Sequence, residues 1–435
     1  MNKDGSLGKL YCDYTFTRLL TYFFTCLAMV HNGQVEVYKP TNYKNIENSG
    51  SLENMFDSMY ILEVFERAYK QTKSVFRSVK TVHDTVKGSY ACIMLIKSIG
   101  IVAFRDTSGI RPLIFGSDFV KQGDNNPTKV SVGVFASESI VLDDLKYKIV
   151  RDVKPGETIF IDLKGNVRYA NYTTETHVEK PLKLMSSMDF VLCGDPLTKY
   201  TPCLFEYIYL ADEKSIIDGI NVRRAREIMG ELLSDKLKRF FGTIDVIAPI
   251  PNTPVTATKI LAHKTGIKYV DLLYLPTLIN SQEDNDSRNI IKKSRTFILP
   301  TQNKREMAVR DKFRINVENI IDCQDKVLAL VDDSIVRGTT MKIIVKMIRE
   351  LVQPKKLILV SLSPIIRYEN VYGIDIPNRT DLIAHNRTLK EIAVELGADE
   401  VVYGDLDTIT NALRSEAQRN GVYVDGYESS VFRNK

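Results

Sequence analysis

Cysteine is sparse and scattered in this chain. The six thiols, Cys12, Cys26, Cys92, Cys193, Cys203 and Cys323, form no C-x-x-C pair and have no companion histidines at zinc spacing, so reduced thiols are expected. No cysteine follows Cys323, which argues against an iron–sulfur cluster in the C-terminal half. An excess of one charge is lacking as well. The 59 basic and 54 acidic residues leave +5 over 435 residues, which gives no support for a nucleic-acid or membrane partner. Long apolar runs are missing too. Leu19 to Val30 (LLTYFFTCLAMV), behind Lys3, Lys9 and Arg18, superficially suits a secretory signal but is too short to cross a bilayer as a helix. A buried strand leading into His31-Asn32-Gly33 is the preferred reading. What remains, 44% hydrophobic and 26% charged residues, describes a soluble globular protein of two or three domains, expected in the cytoplasm.

The most informative stretch is Val327 to Thr340, VLALVDDSIVRGTT. Five apolar residues predict a strand buried on both faces, and it stops at Asp332 and Asp333. Carboxylates at the end of a buried strand are costly unless they hold something. Gly338 removes a side chain where a backbone could approach a ligand. Thr339 and Thr340 open a helix with apolar positions Met341, Ile344, Val345, Ile348 and Leu351. Such a helix start offers free N–H groups and positive dipole to a phosphate, while the Ser334, Thr339 and Thr340 hydroxyls add donors. The carboxylates can hold ribose hydroxyls and a divalent cation. The spacing excludes a Walker A loop and the dinucleotide fingerprint. A strand whose aspartates merely cap a helix is the plain alternative. The stretch resembles the phosphoribosyl pyrophosphate (PRPP) motif of type I phosphoribosyltransferases.

In the N-terminal half, residues 56–71 have helical periodicity through Met59, Leu62, Val64, Phe65 and Ala68, with Asp57 or Ser58 as N-cap. From Tyr90 onward, ACIMLI, GIVAF, PLIFG, Val132 to Ala136 and Thr158 to Ile161 predict successive strands of an antiparallel sheet. HNGQVEVY (31–38), FDSMYILEVF (56–65), RDTSGIRPLIFG (105–116), FASESIVLDDL (135–145) and RDVKPGETIFID (151–162) together resemble the N-terminal nucleophile glutaminase domain of glutamine-dependent amidophosphoribosyltransferases. Asparagine synthetase shares part of this pattern, but its S-G-G-x-D-S nucleotide loop does not occur here. The resemblance implies an oxyanion pair at Asn32 and Gly33, and an amino-group ligand at Asp57. A turn and a helix cap are the plain alternatives for these residues. The domain's chemistry needs a cysteine at the mature N-terminus. This sequence starts MNKDGSLGK, Cys12 lies in no matching context and Cys26 is too close to Asn32-Gly33. The expectation is therefore a gene model short of its first exon, or a chain that no longer hydrolyses glutamine.

In the C-terminal half, His177 to Ser187 is a plausible connection. Residues 202–233 match the same family, with an Asp218-Gly219 turn leading into a helix. IDVIAPIP (244–251) predicts a buried strand and Thr256 to Gly266 a helix. Strand–helix alternation continues through 327–352 and 357–362, predicting a doubly wound parallel sheet whose ligands gather at the strands' carboxyl ends. That rule groups Pro251-Asn252-Thr253, Asp332-Asp333-Ser334 and Gly338-Thr339-Thr340. By resemblance, Thr253 joins Asp332 and Asp333 in holding Mg²⁺, and PRPP meets Asp332, Asp333, Ser334, Arg337, Gly338, Thr339, Thr340, Arg305, Arg310 and Lys312. Segment 281–315 corresponds to a lid. Its acidic residues Glu283, Asp284 and Asp286, and Asp311, depart from the family's basic lid. In the tail, Arg367, Tyr372, Asp375 and Arg387 are read as packing residues.

The resemblance runs from about Leu27 to the C-terminus. It implies a truncated αββα glutaminase-like domain (1–198) followed by a type I phosphoribosyltransferase domain (199–435). It further implies conversion of PRPP and ammonia, drawn from glutamine in complete members, to 5-phosphoribosylamine, with Mg²⁺ and no iron–sulfur cluster. Homo-oligomers and feedback by purine nucleotides belong to the same expectation. The competing reading is a non-catalytic PRPP-binding regulator.

Overall fold

The computed structural model describes residues 18–21, 27–36, 57–118, 130–171, 180–181, 199–276, 309–310, 312–374, 376 and 378–433. Expectations for Cys12, Cys26, Cys193, residues 281–293, Arg305, Asp311 and Asp375 lie outside these residues, as does 177–187 apart from Lys180–Pro181.

The first half contains β1 (Arg18–Thr21), β2 (Leu27–Glu36), α1 (Asp57–Thr72), α2 (Val75–Thr85), β3 (Lys87–Ile96), β4 (Gly100–Arg105) and β5 (Ile114–Ser117). It continues with β6 (Gly133–Ala136), α3 (Ser139–Asp144), β7 (Lys148–Asp152), β8 (Glu157–Asp162), β9 (Val167–Asn171) and β10 (Lys180–Pro181). Strands β1-β2-β3-β4-β8-β9-β10 form a seven-stranded sheet, antiparallel at every pairing. One of its faces, with Met29, Tyr90, Met94 and Phe104, packs under α1 and α2 through Ile61, Phe65, Val79 and Val82. The other face, with Val30, Ile93 and Ile159, meets a three-stranded sheet β6-β5-β7 through Leu113, Phe115 and Val153. The far side of that small sheet is covered by Leu142 of α3. Alternating strand side chains thus build four layers, αββα, as the resemblance implied.

Three local details differ from the sequence reading. Leu19 to Val30 is not one strand: β1 pairs antiparallel with β2, with Leu19 opposite Val30. His31-Asn32-Gly33 lies inside β2 rather than at a turn beyond it, with Gly33 opposite Tyr90. A Cβ on Gly33, at φ +138°, would sit 2.1 Å from the Ser89 carbonyl oxygen, so only glycine fits this strand crossing. Helix α2, unanticipated, is capped by Ser74, whose hydroxyl accepts the Arg77 N–H.

The second half adds β11 (Ile216–Ile217), β12 (Ile220–Asn221), α4 (Val222–Leu237), β13 (Val246–Pro249), α5 (Val255–Thr265), β14 (Lys268–Tyr269), β15 (Leu273–Tyr274) and β16 (Arg314–Ile315). It ends with α6 (Ile320–Cys323), β17 (Val327–Asp332), α7 (Thr339–Leu351), β18 (Lys356–Ser361), α8 (Leu389–Leu396), β19 (Glu400–Tyr403) and α9 (Leu406–Arg419). Strands β14-β13-β17-β18-β19 form one parallel sheet. Leu328, Leu330, Leu357 and Leu359 face α7 and α8; Ile247, Ala329, Val331 and Val360 face α4 and α5. Both faces are therefore covered, which explains why β17 reads as an unbroken apolar run. On α7, Met341, Ile344, Val345 and Ile348 are buried as expected. Leu351 is not: it is 55% exposed in the last turn, beyond the reach of the sheet.

Helices α4 and α5 cross at Gly230, where a Cβ would stand 2.4 Å from the Ala257 carbonyl oxygen. Replacing Gly230 by alanine is expected to cost about 1–3 kcal/mol through overpacking, read as a lower urea midpoint at constant m value.

The two halves are joined by buried ion pairs. Arg105, fully buried, clasps Asp218 with Nη1 at 2.8 Å and Nη2 at 3.0 Å. Asp218 and Gly219, at φ +50° and +74°, make the tight turn between β11 and β12. Arg111 pairs with Glu206 at 2.8 Å. The R-D-x-x-G-x-R-P-L run thus works as a joint. Its Asp106 carboxylate accepts the N–H groups of Tyr90, Ser108, Ile110 and Arg111, and so shapes the loop that aims both arginines.

Candidate active site

Strand β17 lies between β13 and β18, and its carboxyl end is fixed from both sides. The Ile250 N–H donates to the Val331 carbonyl, the Leu362 N–H to that of Asp332 and the Ser363 N–H to that of Asp333. Asp332 and Asp333 are thereby held at the rim of the sheet, Asp333 buried and Asp332 half-buried. The Asp333 N–H donates to Asp332 Oδ1 at 2.9 Å, and Ser334 Oγ donates to Asp333 Oδ1 at 2.9 Å. The Thr253 hydroxyl, from the loop after β13, lies close enough to the Asp333 carboxylate to pull its pKa down. Sequence reasoning placed these two loops together, and the structure does the same.

The acid pair is under electrostatic tension. Burial pushes the Asp333 carboxyl up to about 6, against the pull of its Ser334 hydrogen bond, the nearby Arg226 guanidinium and the Thr253 hydroxyl. Asp332 is pushed well above the ordinary carboxylate range by burial and by the charge of Asp333, partly offset by Lys312. Two like charges with oxygen ligands beside them form a donor set that suits a hard cation retaining waters, such as Mg²⁺. Residues Asp332, Asp333 and Thr253 fit that role.

Helix α7 begins beside the pair. Its N-cap is Gly338 at φ +75°, and the first backward bond runs from the Lys342 N–H to the Gly338 carbonyl. The N–H groups of Thr339, Thr340 and Met341 therefore have no intrahelical acceptor and point outward with the positive end of the dipole. Thr339 and Thr340 are exposed, and Ser334 and Arg337 half-buried. Gly338 has a packing reason that its sequence context did not reveal. A Cβ there would meet Leu396 at 2.9 Å and Ile383 at 3.1 Å, so packing and left-handed backbone by themselves already require glycine.

The basic residues divide. Lys312 is exposed, lies over the Phe313 ring and is close enough for its charge to pull the Asp332 carboxyl back down. Arg310 is placed elsewhere: it pairs with Glu350 at 3.2 Å, in the last turn of α7 and at the opposite end from the phosphate cradle. Arg226, which sequence reasoning passed over, is buried on α4 and donates to the carbonyls of Tyr207 and Ala211 while facing Asp333. No local signal in R-R-A-R-E separates it from its two exposed or half-exposed neighbours.

In the first half, Asp57 is the first residue of α1, and its carboxylate accepts the N–H of the adjacent Ser58 at 2.9 Å. Ser58 Oγ in turn bonds His31 Nδ1 at 3.1 Å, tying α1 to the strand that carries Asn32 and Gly33. Opposite His31 lies Cys92, whose thiol is pushed well up by burial and by the Asp57 and Asp106 charges. Such a thiol stays protonated and is no nucleophile. The loop before Ile374 reaches across from the second half. The Ser89 hydroxyl donates to the Tyr372 carbonyl at 2.7 Å, and a Cβ on Gly373 would lie 3.1 Å from the Gly33 carbonyl carbon. Arg367 and Arg387 donate to carbonyls of residues 383–387, consistent with packing roles.

No protein-family model matches the chain. Among curated proteins it is 36% identical over 428 residues to the amidophosphoribosyltransferase of Pasteurella multocida, spanning 93% of this chain and 73% of that protein. The Escherichia coli and Saccharomyces cerevisiae amidophosphoribosyltransferases are 35% and 30% identical, covering 72% and 74% of their lengths. Among solved structures, one described as the allosteric regulatory enzyme of purine biosynthesis matches 97% of the chain at TM-score 0.68 and 25% identity. The Bacillus subtilis glutamine PRPP amidotransferase, solved with ADP and GMP, has the same fold at TM-score 0.67 and 24% identity. The αββα layers, the parallel sheet with its acid pair at the rim and this run of relatives agree on one placement: the chain belongs to the amidophosphoribosyltransferase family.

Proposed function

We propose that the chain carries out its family's reaction, in which ammonia displaces pyrophosphate from C1 of PRPP to give 5-phosphoribosylamine. The observation that carries this reading is the Thr253–Asp333–Asp332 cluster beside the open N-terminus of α7, in a chain of this ancestry. The 5-phosphate would rest on the N–H groups of residues 339–341 and the hydroxyls of Ser334, Thr339 and Thr340, with Arg337 adding positive charge. Asp332 and Asp333 would accept the ribose hydroxyls, and Lys312 would face the pyrophosphate. Mg²⁺, held by Asp332, Asp333 and Thr253, would supply charge neutralisation for the leaving group. Catalysis then consists of holding C1 open to attack from one side while the leaving group's charge is balanced on the other. Arg310, engaged with Glu350, has no part in this arrangement.

Asn32, Gly33 and Asp57 are proposed as the glutamine end of the protein, with a domain division near 198/199. Purine nucleotides as feedback ligands, a homo-oligomer and a cytoplasmic location complete the proposal. Among the described residues, no helix is long and apolar enough to cross a membrane. Pyrophosphate release from PRPP should be measured with Mg²⁺ and either ammonium chloride or glutamine. Release with ammonium chloride that stops on chelation is expected, and the glutamine arm decides whether the first half delivers ammonia. PRPP bound without release in either arm would overturn the catalytic reading.

A further inference from the structure

Between the two halves lies a short turn, residues 212–215, gripped from both sides. From the first half, Glu138, the buried glutamate of the F-A-S-E run, accepts the Asp212 N–H at 2.7 Å and the Ser215 hydroxyl at 2.8 Å through Oε2. Its neighbour Ser139 Oγ accepts the Ile216 N–H at 2.7 Å. From the second half, Glu213 Oε2 accepts the Thr256 hydroxyl at 2.8 Å. Thr256 is in the first turn of α5, which follows directly on the Pro251–Pro254 loop, and Val255 N–H bonds back to the Asn252 carbonyl. Thr253 in that loop has its hydroxyl close enough to Asp333 to pull that carboxyl down. A path of side-chain hydrogen bonds joined by short backbone segments therefore leads from a glutamate of the αββα layers toward the acid pair: Glu138, the 212–215 turn with Glu213, Thr256, and the loop that carries Thr253.

We infer that Glu213 and Thr256 are positioning residues for the Pro251–Pro254 loop, and that Glu138 sets them from the neighbouring domain. The inference rests on the proposed PRPP site and adds to it an explanation of why the F-A-S-E glutamate is buried at this joint. The Glu138 carboxylate accepts from two donors of the other half through a single oxygen, Oε2. Coulomb attraction to the exposed Arg223, 3.3 Å from Glu213 Oε1, is a separate and solvent-screened contact.

The test uses the full chain with Mg²⁺ and ammonium chloride. Glu213→Ala and Thr256→Val should each raise the KM for PRPP about 3- to 10-fold, the scale of one hydrogen bond, with kcat nearly unchanged. Thr256→Ser and Glu213→Gln, which keep donor and acceptor, should restore it, and Arg223→Ala should leave it unaltered. Glu138→Ala combined with Thr256→Val should raise KM by less than the product of the single effects, because both break one chain of contacts. Hydrogen exchange in the ligand-free protein gives a reading independent of PRPP. Amides of residues 255–258 should exchange faster in Glu213→Ala and Glu138→Ala, and at the original rate in Thr256→Ser. Unchanged exchange in both alanine variants, or multiplicative KM effects in the double variant, overturns the inference. A chain that binds no PRPP would remove the proposed function, while the exchange rates would still decide the role of the turn.

Discussion

Arg105→Met is expected to destabilise the protein by about 3–5 kcal/mol, the range for breaking one side of a buried ion pair. The guanidinium has no exposed surface and spends its donors fully. Nε bonds the Arg111 carbonyl at 2.6 Å, Nη1 the Val153 carbonyl at 2.9 Å and Nη2 the Gly109 carbonyl at 2.7 Å, besides the two bonds to Asp218. Methionine fills much of the volume and leaves three carbonyls and a carboxylate without their partner. Asp218 is 1% exposed and receives the Tyr200 hydroxyl as its other donor, which cannot neutralise it. Asp152 adds to the strain, since burial and the Asp218 charge already push its carboxyl up to about 7. Asp218→Asn in the Arg105→Met background should recover part of the loss, because the unpaired charge is then gone. Urea unfolding at pH 7.5 checks this. A loss below about 1 kcal/mol, or additive single and double variants, would show that the pair contributes little to the joint.

This joint also shows where sequence reading stops. Arg105 and Asp218 are 113 residues apart, and neither run contains a periodicity that points to the other. The strand–acid–glycine–helix order from Val327 to Thr340 was legible because every signal is local: an apolar run, a sudden pair of carboxylates and an amphipathic restart. The antiparallel strands from Tyr90 to Ile161 were legible for the same reason. Helix α2 was missed because VFRSVKTVHDT packs through Val75, Phe76, Val79 and Val82 while the rest of it is polar and follows at once on α1. Strands β1 and β2 were read as one strand because the apolar composition does not change from Leu19 to Val30. Gly338 was assigned to the right element, but its packing against Leu396 and Ile383 was not legible, since a glycine needed for a ligand and one needed for packing look alike in sequence. Arg310 illustrates the remaining gap: charge and position matched a pyrophosphate contact, yet side-chain direction was set by Glu350 on the neighbouring helix.

Asp333→Asn should make the free protein more stable and poorer at holding PRPP. The folded state raises this carboxyl from an ordinary value near 3.8 to about 6, so folding favours its neutral form. The carboxylate therefore subtracts stability, beginning as pH rises past the unfolded value and reaching its full effect above the folded one. Asparagine is neutral throughout, so its gain should be about 1–3 kcal/mol at pH 7.5, from roughly two pKa units at 1.36 kcal/mol each, and should shrink toward zero near pH 4. Ser334 can still donate to the amide oxygen, so the local fold survives. What the amide cannot supply is the second anionic oxygen at the rim. PRPP affinity in the presence of Mg²⁺ should fall by at least about tenfold, the scale of one charge-assisted contact. Thermal unfolding at several pH values and titration calorimetry with PRPP are the two measurements. Stability gained with affinity intact would mean that Asp333 is only a capping residue. Affinity lost without a pH-dependent gain in stability would mean that the carboxylate is already neutralised by Arg226 in the free protein. Only both changes together fit an acid pair whose repulsion the ligand and its cation relieve.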